Sequence, residues 1–281
     1  DALAARCDAV FLAMPHTVAQ EYAPALIERG VRVIDLSADF RFESVELYET
    51  TYKVRHLAPE LNARIPYGLP ELWREQLKGS PAIANPGCHT ITAILGLAPL
   101  MKHGDVLDLD RITINSMTGV SGGGRKPTDA FHFPECNESL KAYGVASHRH
   151  RPEIEEQLGR LRGKPLRVVF TPVLVPMTRG ILSCSTVPML QDVTTDEALA
   201  WYHETYGDEP FVRVLPKGEV PATAAVTLSN FCDIGVVADP HARALLVFSA
   251  TDNLVKGASG QALQNMNLLF NLPETMGFMR Q

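Results

Sequence analysis

Tryptophan and cysteine are scarce in this chain of 281 residues, with two and five copies, and neither sign of charge dominates. The five cysteines (Cys7, Cys88, Cys136, Cys184 and Cys232) are odd in number, far apart and never arranged as a CxxC pair. A disulfide framework and a structural zinc site are therefore not expected, and each cysteine is by default a small buried apolar residue. No apolar run reaches the ~18 residues needed to cross a bilayer, and no charged-then-apolar leader opens the chain. A net charge of −6 with no concentrated basic stretch offers no footprint for nucleic acid or an anionic membrane surface. The expectation is a soluble cytoplasmic enzyme acting on a small molecule, with no nucleic-acid partner, no membrane and no metal.

What is present is a core of ordinary size, since 46% of the residues are hydrophobic, enough for one large domain or two of common length. Residues 7–14 and 31–36 read as buried strands, and 17–29 between them carry helical spacing with Gly30 as a cap. Strand, helix and strand in such a short span make a βαβ unit and a parallel sheet. Residues 81–84 add a strand, and 90–103 form a helix with an apolar face. Beyond residue 112 the texture changes. Strands are expected at 112–117, 166–175, 181–190, 211–215, 224–229 and 245–250, with helices at 152–161 and 258–269. These strands are too long and closely spaced for repeated βαβ units, so a mixed or antiparallel sheet is expected, one that can form a subunit interface. A Gly-x-Gly-x-x-Gly turn is missing, although a dinucleotide-binding half is built around one. On this reading the sequence is an N-terminally truncated piece of a longer protein.

Four constellations carry chemistry. Cys88, in ANPGCHT, follows a strand and a Pro-Gly turn and stands at the start of a helix. Helix-start N–H groups favour a thiolate and can hold an oxyanion; a buried helix-start cysteine fits the same setting equally well. His148 and His150 lie in SHRHRPE beside two arginines. They suit a base and an acid for a thiol nucleophile, or else a solvated basic turn; metal binding is a weaker third reading, for want of another ligand at a recognisable spacing. Ser121, Gly122 and Gly124, followed by Arg125, form a small-residue loop after a strand. Such a loop can cradle a phosphate or a nicotinamide ribose through its N–H groups, or simply be flexible. Arg179, between two long strands, is either a turn residue or an anion contact.

Taken in order along the chain, these pieces resemble the N-acetyl-γ-glutamyl-phosphate reductase family. The resemblance runs through FLAMPH, DLSADFR, IPYGLPEL, ANPGCHTITA, TGVSGGGRK, YGVASHRHRPEIEEQL, FTPVLVPMTRGIL, CDIG and DNLVKGASGQALQNMN. It implies an α/β protein with an incomplete Rossmann-type parallel-sheet domain (1–87) and an α+β catalytic and oligomerisation domain (88–255) of the glyceraldehyde-3-phosphate dehydrogenase-like type. A helix (256–281) then returns to the cofactor domain. It further implies NADP as cofactor and a homo-oligomer, dimer or tetramer. Cys88 matches the family's catalytic cysteine, and His148 and His150 its histidine pair, one of them the acid/base. Pro15, Ser121, Gly122, Gly124 and Asn253 match cofactor-side positions, and Arg125 and Arg179 are candidates for the substrate's anionic groups. The activity implied is reduction of an acyl phosphate to an aldehyde through a cysteine thioester. The rival readings are a relative acting on aspartyl or aminoadipyl phosphate, a cysteine hydrolase needing no nicotinamide, and an inert or purely interacting remnant. Rates on the three acyl phosphates, turnover without NADPH, and cofactor binding separate them.

Overall fold

Three short parallel strands, β1 (Ala9–Leu12), β2 (Arg32–Asp35) and β3 (Ala82–Ala84), lie side by side in that order. The helix Ala19–Glu28 makes the crossover from β1 to β2, as parallel pairing demands. Successive strand residues face opposite sides, and both sides are covered at β2 and β3, whereas Phe11 on β1 is exposed. Val33, Ala82 and Ala84 pack with Ala19, Ala23 and Leu26, while Ile34 and Ile83 pack with Leu77, Ala262, Leu268 and Leu269. Two buried faces explain the apolar character of β2 and β3. The computed structural model describes residues 4–124 and 128–278. The chain divides into two units: residues 1–87 with 258–281, and residues 88–257.

The second unit is built on seven strands. They are β4 (Ile112–Gly119), β5 (Lys141–Ala142), β6 (Val168–Val175), β7 (Ile181–Pro188), β8 (Val212–Val214), β9 (Cys232–Asp239) and β10 (Ala244–Thr251). Their order is β5-β6-β4-β7-β10-β9-β8. The β4–β6 and β8–β9 pairs are parallel and the rest antiparallel, so the sheet is mixed. Burial alternates along β7: Ile181, Ser183, Ser185 and Val187 are buried, whereas their neighbours are only half-buried. The buried side carries the helices Cys88–Leu97 and Thr195–Tyr206, joined where Tyr202 and Tyr206 donate their hydroxyls to the carbonyls of Gly96 and Leu95. The helix His150–Arg162 packs on the same cysteine-bearing helix.

One expected strand is wrong. Residues 224–229 hold a single helical turn, Thr223–Val226, and the strand lies further on at Cys232–Asp239. Gly235 disguises it, because a glycine inside a strand normally signals weakness. Here a Cβ at Gly235 would stand 2.7 Å from the Glu219 carbonyl oxygen, so the residue is small to admit the neighbouring segment.

Candidate active site

Cys88 is the first residue of its helix, Cys88–Leu97, and is half-buried. The helix continues as a 3-10 turn, Ala98–Lys102. Gly257 presses against the cysteine: a Cβ there would lie 3.0 Å from the Cys88 Cβ and 3.2 Å from the Asp252 carbonyl oxygen. Only glycine lets the backbone after β10 pass this close. Thr92 Oγ1 donates to the Cys88 carbonyl oxygen at 3.0 Å and meets Thr251 Oγ1 at 2.7 Å. These contacts fix the first helical turn on β10.

The two histidines are brought together beside the cysteine's sequence neighbour. Ring centroids of His148 and His150 are 4.9 Å apart, and both meet His89, at 5.5 and 5.8 Å. Phe170 closes one side of this group. His148 is held in one tautomer: the backbone N–H of His150 donates to its Nδ1 at 3.1 Å, so its neutral ring carries the proton on Nε2. Burial, with Arg149 adding to it, pulls the His148 imidazole down to about 4, and it is neutral at ordinary pH. Gly144 sits at φ +54° with His148 only 3.1 Å from where its Cβ would be. The turn entering SHRH therefore needs glycine twice over.

His89, Tyr143, Asp252 and Gly257 escaped the sequence reading. His89 is next to Cys88 and could have been suspected from CHT, but on an apolar helix it reads as a core residue.

A second group gathers around Asn253. Its Oδ1 accepts from the Gly180 N–H at 2.8 Å, and its Nδ2 donates to Ser121 Oγ at 3.0 Å. The adjacent Asp252 is fully buried. It accepts the N–H groups of Leu228 (2.7 Å), Leu254 (2.8 Å) and Val255 (3.2 Å), and Arg179 Nη1 at 3.3 Å. Residues 252–257 therefore link the cysteine at one end to Ser121 and Arg179 at the other. Asn253 acts here as a brace between loops. Ser121 is half-buried, and Gly122 and Gly124 are exposed. Gly124 adopts φ +78° with open space where its Cβ would be. Pro15 belongs to the first unit, in the exposed loop after β1. Arg125 lies outside the described residues. Among the described residues no cluster of three or more metal-type ligands occurs.

A doubly covered parallel sheet, followed by a mixed sheet whose first helix opens on a cysteine, defines the semialdehyde dehydrogenase class. Residues 1–80 match the family description "Semialdehyde dehydrogenase, NAD binding domain", and residues 88–253 match "Semialdehyde dehydrogenase, dimerisation domain". The chain belongs to the N-acetyl-gamma-glutamyl-phosphate reductase family. It is 49% identical to the reductase of that name from Symbiobacterium thermophilum over 98% of this chain and 79% of that one. To the namesake from Desulforudis audaxviator it is 50% identical, over 97% and 78%. Aspartate semialdehyde dehydrogenase II from Vibrio cholerae shares the fold, with a TM-score of 0.71 at 18% identity, covering 95% of this chain and 81% of that structure.

Proposed function

We propose that this chain reduces N-acetyl-γ-glutamyl phosphate to N-acetylglutamate 5-semialdehyde with NADPH, releasing phosphate, as a step of arginine biosynthesis. Close relatives bear the reductase name over nearly the full chain. The observation that carries the mechanism is the cysteine at a helix start, with the imidazoles of His148 and His150 grouped around that of its neighbour His89.

The residues present fit a nicotinamide cofactor in two places. The loops at the carboxyl ends of a parallel sheet are the usual dinucleotide position, and exposed Pro15 lies there. The open backbone at Gly124, in the same exposed loop as Gly122 and with Ser121 braced by Asn253, suits close approach of the nicotinamide half. Bound NADPH supplies the reducing hydride.

The chain's own residues make and break the thioester. The Cys88 sulfur gives up its proton to a histidine and attacks the acyl carbon. A C–S bond forms, and the C–O bond to phosphate breaks with its electron pair leaving on phosphate. Once the carbon is reduced, the C–S bond breaks, its electrons return to sulfur, and a histidine takes the hydroxyl proton as the aldehyde forms. His148 has its Nδ1 committed to a backbone N–H and its Nε2 protonated, so it serves as a donor, and His150 exchanges the proton. Arg179 and Arg125 hold the anionic groups of the substrate, Arg179 steadied by Asp252.

Two further properties belong to this reading. The five cysteines carry no disulfide, which fits the reducing cytoplasm. No helix among the described residues is long and apolar enough to cross a membrane. The half-exposed face of the seven-stranded sheet supports a homo-oligomer. Cys88→Ser is expected to lower the rate of NADPH oxidation with the acyl phosphate by on the order of a thousandfold or more, as removal of an enzyme nucleophile does. Near-full activity in that variant, followed at 340 nm, would sink the mechanism. Comparable rates on aspartyl phosphate would instead redirect the substrate assignment.

A further inference from the structure

His89 makes two short hydrogen bonds from a fully buried ring. Its Nδ1 meets Ser116 Oγ at 2.7 Å, and its Nε2 meets the Tyr143 hydroxyl at 2.8 Å. Ser116 is buried in β4, and the Tyr143 backbone N–H donates to the Pro172 carbonyl oxygen at 3.1 Å. His148 and Phe170 pack edge-on against the His89 ring. The ring is thus fixed at both nitrogens and on its faces, one residue from the nucleophile.

Burial, with His148 adding to it, pulls His89 down to about 3, so it stays neutral and carries one proton on one nitrogen. When Ser116 donates to Nδ1, the proton sits on Nε2 and is donated to the Tyr143 oxygen. The phenol hydrogen then points away from His89 and has to find another acceptor. Burial first, and the nearby Cys88 second, push the Tyr143 phenol above its ordinary value. The hydroxyl therefore keeps its proton, and its hydrogen bond to His89 ties it to the residue that directly follows Cys88.

We propose that His89 takes the tautomer in which Ser116 donates to its Nδ1, and that it is then a positioning residue that holds the Tyr143 hydroxyl beside Cys88 as a hydrogen-bond donor to the substrate oxygen of the tetrahedral intermediate. The inference rests on Cys88 being the nucleophile. Charge builds on that oxygen when sulfur attacks the acyl carbon, and a fixed donor there acts only on the transition state. Tyr143 keeps its proton throughout, so no group is oxidised or consumed. Tyr143 touches the reacting atoms; His89 acts through it.

The test is a double-mutant cycle on the full chain with the acyl phosphate and NADPH. Tyr143→Phe is expected to lower kcat roughly a hundredfold, the usual loss for one oxyanion donor, with KM changed by less than about threefold. His89→Phe should cost a similar factor, and the double variant little more, because both remove one interaction. His89→Gln, whose amide can donate to Tyr143 and accept from Ser116, should recover to within about tenfold of the parent. It also keeps the test open should His89→Phe misfold. Alkylation of Cys88 by iodoacetamide should stay within about twofold in Tyr143→Phe, since the donor acts on oxygen and not on sulfur. Full activity in Tyr143→Phe, multiplicative losses in the double variant, or parallel loss of alkylation would each overturn the proposal. An active Cys88→Ser would instead strike the nucleophile assignment, so the two failures are distinguishable.

Discussion

At Gly257 a missing methyl group decides where the nucleophile stands. An alanine there would put its Cβ 3.0 Å from Cys88 Cβ and 3.2 Å from a backbone oxygen, and neither is the far end of a flexible side chain. The cysteine would have to give by a few tenths of an ångström, and attack geometry is sensitive on that scale. Gly257→Ala is expected to lower kcat about tenfold and to destabilise by about 1–3 kcal/mol; steady-state rates and urea unfolding check the two effects. Asp35 makes a pH prediction in the other unit. Burial, outweighing two hydrogen bonds from Ser37, raises its carboxyl from 3.8 to about 7. The folded state then binds more protons than the unfolded one between those values, so this residue's contribution to stability is lost as pH rises from 3.8 towards 7. Asp35→Asn removes that loss. Its melting temperature relative to the parent should climb between pH 4 and pH 7, and a pH-independent difference would refute the assignment. Residue type and setting made Cys88, His148 and His150 candidates in the sequence, level with a buried cysteine and a solvated turn, and the order of the motifs along the chain singled them out. His89 and Tyr143 were not: one sits on an apolar helix, the other in an irregular stretch, and only the fold shows that they meet.

Elements of the second unit are tied by backbone contacts that side-chain pattern does not announce. Gly119, at the end of β4, is an example. Its N–H donates to the Gly180 carbonyl at 2.9 Å, and the next two N–H groups reach Met177 and Thr178. A Cβ at Gly119 would lie 2.8 Å from both the Met177 and Thr178 oxygens and 2.9 Å from the Arg179 nitrogen. Gly119→Ala must therefore push the β6–β7 turn away from the Ser121 loop, stretching the Asn253 bridge between them. The expected result is about 1–3 kcal/mol less stability and a several-fold higher KM for NADPH, with chemical denaturation and cofactor titration as readouts. Periodicity revealed most of the long strands and the βαβ start. It failed at 224–229, where the β-branched residues of AAVTLS imitate a strand, and at β9, where Gly235 interrupts the pattern for a packing reason.

At the scale of the whole molecule, the seven-stranded sheet is covered unequally on its two faces. Its buried face carries the helices, but its other face presents Val169, Asn115, Leu182, Cys184 and Thr186, half-buried or exposed. Cross-strand pairing sets several of these side by side: Thr171 opposite Asn115, Asn115 opposite Cys184, and Cys184 opposite Phe248. Val169 is 62% exposed. Few of these residues are charged, as expected of the middle of an interface rather than a solvated face. The region also lies within the part of the chain that matches a dimerisation domain. A second copy of the chain is the natural cover, since a two-fold axis lets the same patch meet itself. Arginines at Asn115 and Val169 would place like charges across such an axis without disturbing either core, because both side chains are exposed in the single chain. Asn115→Arg/Val169→Arg is therefore expected to weaken self-association at least tenfold while leaving the far-ultraviolet circular dichroism unchanged. Sedimentation equilibrium of the parent and the double variant decides it: an unchanged mass distribution would place the oligomer interface elsewhere on the molecule.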